Sequence, residues 1–206
     1  APQFIAMKLV KFLVMDEPVP SEELLAPLAR ELRENKMQIE PTVRRILTSN
    51  VFYSSHSVGR KVRSPVELAI GFLRSLDGST NSYELAQKLQ TLGQGLLYPP
   101  SVKGWDGGRT WVNSSTLLGR SNLIRSLLDN EKTRFGKTSL AEHLAGEGAE
   151  SPDEIIEWFQ TSLFAVDIPA AARERVRAVF DNGTDRGEGL KDGVHALCTL
   201  PEFQLC

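Results

Sequence analysis

One helix-start signature occurs twice in this sequence and limits the possible folds more than any other feature. Ser64-Pro65 is followed by Glu67, and Ser151-Pro152 is followed by Glu154. In such a capping box the serine and the glutamate satisfy backbone N–H groups of the first turn, and proline is well tolerated at the first helical position. Apolar residues at helical spacing follow each signature. The pattern predicts helices that begin at residues 65 and 152.

The rest of the chain carries helical signals of the same kind. Ser21 and Asn81 are suited to cap helices, and Pro41 and Pro169 are suited to open them. No run alternates apolar and polar residues for long enough to require a sheet. We therefore predict an all-α fold, an irregular bundle of eight or nine short helices.

Helical periodicity is lost over residues 94–113, a segment that is rich in glycine and also contains Pro99, Pro100, Trp105 and Trp111. Glycine and proline interrupt regular structure. The sequence thus predicts one long loop between helices, which we call the Gly/Trp loop.

Length and composition favour one domain. The chain has 206 residues, of which 41% are hydrophobic and 24% charged, as in a single globular domain. Residues 129–137 are polar and residues 146–150 are rich in Gly and Glu, so we expect one domain over residues 1–206 whose core thins near 129–150.

Charge and hydropathy exclude two classes of partner. A formal net charge of -2 provides no basic surface for nucleic acid. Lys8 and Lys11 interrupt the most apolar segment, so no stretch reaches the length of a membrane span.

The two cysteines, Cys198 and Cys206, are too few for a disulfide scaffold.

Motifs for cofactors are missing. The sequence has no dinucleotide-binding glycine pattern, Walker loop, zincin helix or nucleophile elbow. His56, His143 and His195 each lack a second His or Cys at metal-ligand spacing. We expect no bound metal and no cofactor.

One acidic turn deserves comparison with a calcium loop. Asp181, Asp185 and Asp192 frame a run with oxygen ligands at alternating positions. However, Gly183 stands where a ligand is expected and Arg186 stands where the sharp turn needs glycine. We favour a solvated turn between two helices over a calcium site.

The Gly/Trp loop holds the candidate binding residues, which are Lys103, Trp105, Asp106, Arg109, Trp111 and Asn113. Indole faces and hydrogen-bonding groups of this kind could stack on a sugar ring or bind a carboxylate. The alternative is structural: both indoles anchor the loop to the bundle, which a long irregular connection needs. We expect Trp105 to be the more exposed indole and Trp111 the more buried one.

The same loop carries a family resemblance. The run PPSVKGWDGGRTWVNSSTLLGR, together with SPVELAIGFLR, LGQGLLYPP and LCTLPEFQL in the same order, closely resembles a bacterial family catalogued as domain of unknown function 1800. The resemblance covers nearly the whole chain. It implies a largely helical, exported protein of the kind common in planctomycetes, here the C-terminal part of a longer chain whose targeting segment is not in this sequence.

The resemblance implies no activity, so two functions stay open. The first is a non-catalytic binding module for a polysaccharide or for a co-exported partner protein, with the loop as its contact surface. The second is a hydrolase of polysaccharides or esters that uses Asp106 beside Arg109. A glycosidase needs two carboxyl groups at a defined separation, and Asp106 is the only acid of this loop.

Overall fold

The computed structural model describes residues 1–183 and 185–206. These residues form two compact units. The first comprises Ala1–Val62 together with Cys206, and the second comprises Arg63–Leu205. Residues 129–150, where the sequence indicates a thinner core, lie inside the second unit. The assignment of the chain to a single domain stays a prediction.

The described residues are mostly helical, which confirms the all-α class. They contain ten α-helices, one more than the upper limit predicted. The helices are α1 (Pro2–Leu13), α2 (Glu22–Glu34), α3 (Ile39–Leu47), α4 (Pro65–Ser75), α5 (Ser82–Thr91), α6 (Ser114–Asp129), α7 (Leu140–Gly146), α8 (Pro152–Leu163), α9 (Ala170–Asp181) and α10 (Arg186–Thr199).

Short pieces of other structure complete the described chain. Two 3-10 helices cover Gly108–Trp111 and Pro201–Gln204. Two strands of two residues each, β1 (Gly78–Ser79) and β2 (Arg134–Phe135), pair antiparallel with Gly78 opposite Phe135. The sequence analysis did not predict this pair, because two residues are too few for an alternating pattern.

The first unit is built on α1 and α2, which pack against each other and against α3. Ser21 caps α2 as predicted, since its Oγ accepts a hydrogen bond from Leu24 N at 3.3 Å. The apolar core contains Ala6, Val10, Leu25, Leu28, Leu32 and Ile46. Cys206 joins this unit through two backbone bonds: its N donates to Lys61 O at 2.9 Å, and its O accepts from Lys61 N at 3.3 Å.

The second unit has its own core, formed where helices α4, α6, α8 and α10 meet. Both predicted capping boxes are present. Ser64 N donates to Glu67 Oε2 at 2.7 Å, and Ser151 N donates to Glu154 Oε2 at 2.9 Å. The fully buried members of this core include Leu68, Phe72, Leu89, Ile124, Ile156, Phe159, Leu197 and Phe203. Capping thus sets the first residue of α4 and of α8, and apolar burial orients each helix.

An arginine is the largest fully buried side chain. Arg120, the last residue of the run that carries the family resemblance, is only 1% exposed. Its Nε donates to Gln204 Oε1 at 2.8 Å, and its Nη2 donates to Arg63 O. Burial lowers its pKa to about 10. The guanidinium therefore ties α6 to two segments that are distant in sequence.

Two residues of the acidic run compared above with a calcium loop have structural roles in α10. Asp185 is the N-cap of α10, with Oδ1 accepting from Glu188 N at 2.8 Å. Asp192 lies within the helix and pairs with Arg125 of α6. Thr184, another member of that run, lies outside the described residues. The helix begins at Arg186, because Asp185 caps it there. Its first turn contains Gly187 and Gly189, so the apolar spacing around Leu190 indicated a later start.

Among the described residues, none of the helices combines the length and the apolar character needed to cross a membrane.

Candidate functional site

The Gly/Trp loop is irregular as predicted, apart from the 3-10 helix at Gly108–Trp111. It follows Gly93, which lies two residues beyond the end of α5 and whose φ of 89° is a left-handed conformation suited to glycine. Gln94 fixes this end of the loop to α4, because its side-chain Oε1 accepts a hydrogen bond from Val66 N at 2.8 Å. The loop thus starts from a fixed point on the helical scaffold.

The two indoles have different environments, in the order expected from the sequence. Trp111 is buried, with 9% of its surface exposed, whereas Trp105 is half-buried. The indole Nε1 of Trp105 donates to Gly93 O at 3.1 Å. This bond returns the middle of the loop to its beginning, so both indoles act as anchors of the loop.

The far end of the loop is fixed by a helix cap. Asn113 Oδ1 accepts from Thr116 N at 3.0 Å, and Thr116 Oγ1 accepts from Asn113 N at 2.8 Å. This reciprocal pair starts α6. The side chain of Asn113, a predicted ligand group, therefore has a structural partner.

The charged candidates lie on the outside of the loop. Lys103 Nζ and Asp106 Oδ1 form an exposed ion pair at 2.6 Å. The hydrogen bond and the charge of Lys103 lower the pKa of Asp106 below its usual value of 3.8. Arg109 is exposed on the 3-10 helix. The structure thus brings Lys103 and Asp106 together as an ionised pair in solvent.

Three strongly exposed residues of the loop that the sequence did not single out are apolar or aromatic. Leu97 is 93% exposed, Tyr98 is 79% exposed and Val102 is fully exposed. Leu97 has a φ of 65°, a left-handed conformation that few residues other than glycine adopt. An apolar residue in a sequence normally indicates a position in the core. The signal for exposure here was the neighbouring Pro99 and Pro100, which prevent a helix that could bury these side chains.

The histidines do not form a metal centre. Among residues 1–183 and 185–206, no group of three or more His, Cys, Asp or Glu side chains could hold a metal ion. His195 Nε2 lies 2.9 Å from Ser121 Oγ and 3.2 Å from Ser121 O, so this pair links α10 to α6. The ring of His143 contacts Trp158 edge-on at 6.4 Å between centroids.

These features define a class of protein, a helical protein with an anchored Gly/Trp loop that displays apolar side chains. The chain matches the family described as "Protein of unknown function (DUF1800)" over residues 1–205, and it belongs to that family. The resemblance noted in the sequence is confirmed. No curated protein and no solved structure gives a significant match to the chain.

Proposed function

We propose that this chain is a non-catalytic binding module that recognises another protein through its Gly/Trp loop. The exposure of Leu97, Tyr98 and Val102 carries the proposal. Large apolar side chains that are clustered in one segment and almost wholly exposed are typical of interaction sites. The Lys103–Asp106 ion pair supplies the polar groups that usually surround an apolar interface centre.

The aromatic side chains favour a protein over a polysaccharide. Stacking on a sugar requires an accessible flat aromatic face. Trp111 is buried and Trp105 is half-buried with its N–H bonded to Gly93 O, so Tyr98 is the exposed aromatic residue of this loop. The aliphatic side chains of Leu97 and Val102 fit an apolar pocket better than a hydroxyl-rich sugar.

The state of Asp106 favours binding over hydrolysis. A general acid in a glycosidase has a raised pKa, so that it holds a proton near neutral pH. Lys103 lowers the pKa of Asp106 instead. A hydrolase that uses this carboxyl group as its acid is thus the weaker alternative.

The proposal also includes the location implied by the family resemblance. The chain acts outside the cytoplasm of a bacterium of planctomycete-like ancestry, and its partner is a co-exported protein.

Photo-crosslinking in the producing cell tests this function. A photoreactive amino acid at position 102 of the full-length protein is expected to give a discrete protein adduct on irradiation. Leu97→Asp and Tyr98→Asp should abolish the adduct, because a buried unpaired carboxylate strongly opposes binding. Tyr83, a tyrosine of α5 that is 70% exposed, provides the matched control, Tyr83→Asp.

Three outcomes would contradict the proposal. If a photoreactive amino acid at position 83 gives the same adduct as one at position 102, the contact is non-specific. An adduct that survives Tyr98→Asp would exclude this side chain from the interface. Retention of the purified protein on immobilised polysaccharide, lost in Tyr98→Ala but kept in Tyr83→Ala, would indicate a carbohydrate ligand instead.

A further inference from the structure

A cleft of about 500 Å3 lies in the second unit, bordered by α7, α8, α9 and α10. Its walls are mainly apolar and include Leu144, Ala149, Ile155, Phe180 and Leu190. Cavities of this size and character are typical of sites for small molecules. None of these residues belongs to the Gly/Trp loop, so the inference below does not depend on the proposed function.

Small side chains keep the cleft open. Ala141 and Ala145 line it from α7, and both are exposed. Larger residues at these positions would project into the space, whereas alanine leaves the apolar side chains beneath accessible. The base of the cleft is well packed, because the lining residues Leu144, Ala149 and Ile155 are also members of the buried core.

Acidic groups predominate at the rim. Glu142, Glu150 and Arg186 line the cleft, and an adjoining polar depression adds Glu154. Glu142 Oε2 accepts from Ser139 N at 3.1 Å, and Glu154 Oε2 accepts from Glu150 N at 3.1 Å. The hydrogen bonds of these helix caps lower the pKa of both Glu142 and Glu154.

Arg186 is the basic residue among the described residues that line this rim, and its side chain is directed in part to the backbone. Arg186 Nη2 donates to Glu150 O at 3.3 Å. Three carboxylates and one guanidinium leave the rim with net negative charge. An apolar interior with a negative rim is complementary to an apolar group that carries a positive charge.

We propose that this cleft binds a small cationic amphiphile, in which an alkyl or aryl group carries an ammonium group. The apolar part occupies the space bordered by Leu144, Ile155 and Phe180, and the ammonium group lies among the carboxylates of the rim. Burial of the alkyl chain supplies most of the affinity, and the rim selects the sign of the charge.

Three probes with the same alkyl chain test the charge preference: n-hexylammonium, n-hexanol and n-hexanoate. The full chain is titrated with each probe and followed through the backbone amide NMR shifts of Ala145 and Ala149. The affinity should decrease in the order hexylammonium, hexanol, hexanoate. We expect at least about a tenfold difference in Kd between the two charged probes. Equal affinities, or tighter binding of hexanoate, would overturn the proposal.

Variants at exposed positions test the location. Ala145→Phe should fill the cleft and abolish hexylammonium binding, whereas Ala171→Phe on the exposed face of α9 should not. Glu150→Gln should raise the Kd for hexylammonium about threefold or more. The matched control Glu174→Gln, at an exposed position outside the cleft, should leave this Kd unchanged. Far-ultraviolet dichroism verifies the fold of each variant. Hexylammonium binding that persists in Ala145→Phe would refute the assignment of this cleft.

Discussion

Replacement of Arg120 tests whether a buried cation stabilises this fold or is only tolerated by it. The side chain is 1% exposed and donates to Gln204 Oε1 and to Arg63 O. Its Nη1 is buried and has no hydrogen-bond partner among the described residues. Arg120→Met keeps a flexible, unbranched side chain, shorter than that of arginine, while it removes the charge and all donors.

Two opposing contributions decide the magnitude. The variant leaves Gln204 Oε1 and Arg63 O without this donor, and a buried acceptor that loses its partner costs about 1–3 kcal/mol. Methionine also relieves the buried Nη1 donor that has no partner, again about 1–3 kcal/mol. Because two acceptors are affected and one donor is relieved, we expect a net loss of about 1–3 kcal/mol in the free energy of unfolding.

Urea unfolding of four proteins measures this directly: the original chain, Arg120→Met, Gln204→Leu and the double variant. The cycle isolates the pairwise energy of the Arg120–Gln204 bond, which we expect to be about 1–2 kcal/mol. If Arg120→Met is as stable as the original chain, desolvation outweighs the hydrogen bonds and the reasoning is wrong. A coupling energy near zero would show that Gln204 is not the partner that matters.

Three further predictions concern the loop, a helix contact and acid stability. Trp111→Ala should reduce the free energy of unfolding by about 3–5 kcal/mol and Trp105→Ala by less than half as much, measured by urea denaturation, because Trp111 is buried and Trp105 is only half-buried. Gly193→Ala should cost about 1–3 kcal/mol in the same assay, since a Cβ there would overlap the ring of Phe180. Because the pKa of Glu154 is lowered, its ionised form stabilises the fold at pH values above the usual 4.5. This stabilisation is lost as the pH falls from 4.5 through the lowered pKa, so Glu154→Gln should flatten the acid side of the profile of melting temperature against pH.

Local signals predicted the fold well where they act over a few residues. Ser64 with Glu67 and Ser151 with Glu154 form the expected capping boxes, since these bonds join neighbours in sequence. The β1–β2 pair and the bonds of Arg120 join distant segments, and no local pattern encodes them. Gly193 is similar: the sequence shows a helical glycine, but only the packed neighbour, Phe180, shows why a side chain is excluded.

The candidate site was predicted only in part. The segment and the order of indole burial agree with the sequence analysis, because proline and glycine exclude a helix and because Trp111 lies next to the start of α6. The exposure of Leu97 and Val102 was not predicted, since hydropathy alone places such residues in a core. Whether Lys103, Asp106 and Arg109 contact a ligand stays a prediction.

The backbone bonds between Lys61 and Cys206 have a consequence for the order of events during synthesis. The first unit takes its main segment from residues 1–62 and one residue from position 206. Helices α1 to α3 are translated before the second unit, yet the two bonds between Lys61 and Cys206 can form only after the whole second unit has been translated. The first unit therefore reaches its final hydrogen-bonded state only once residue 206 is available, although most of its residues precede the second unit.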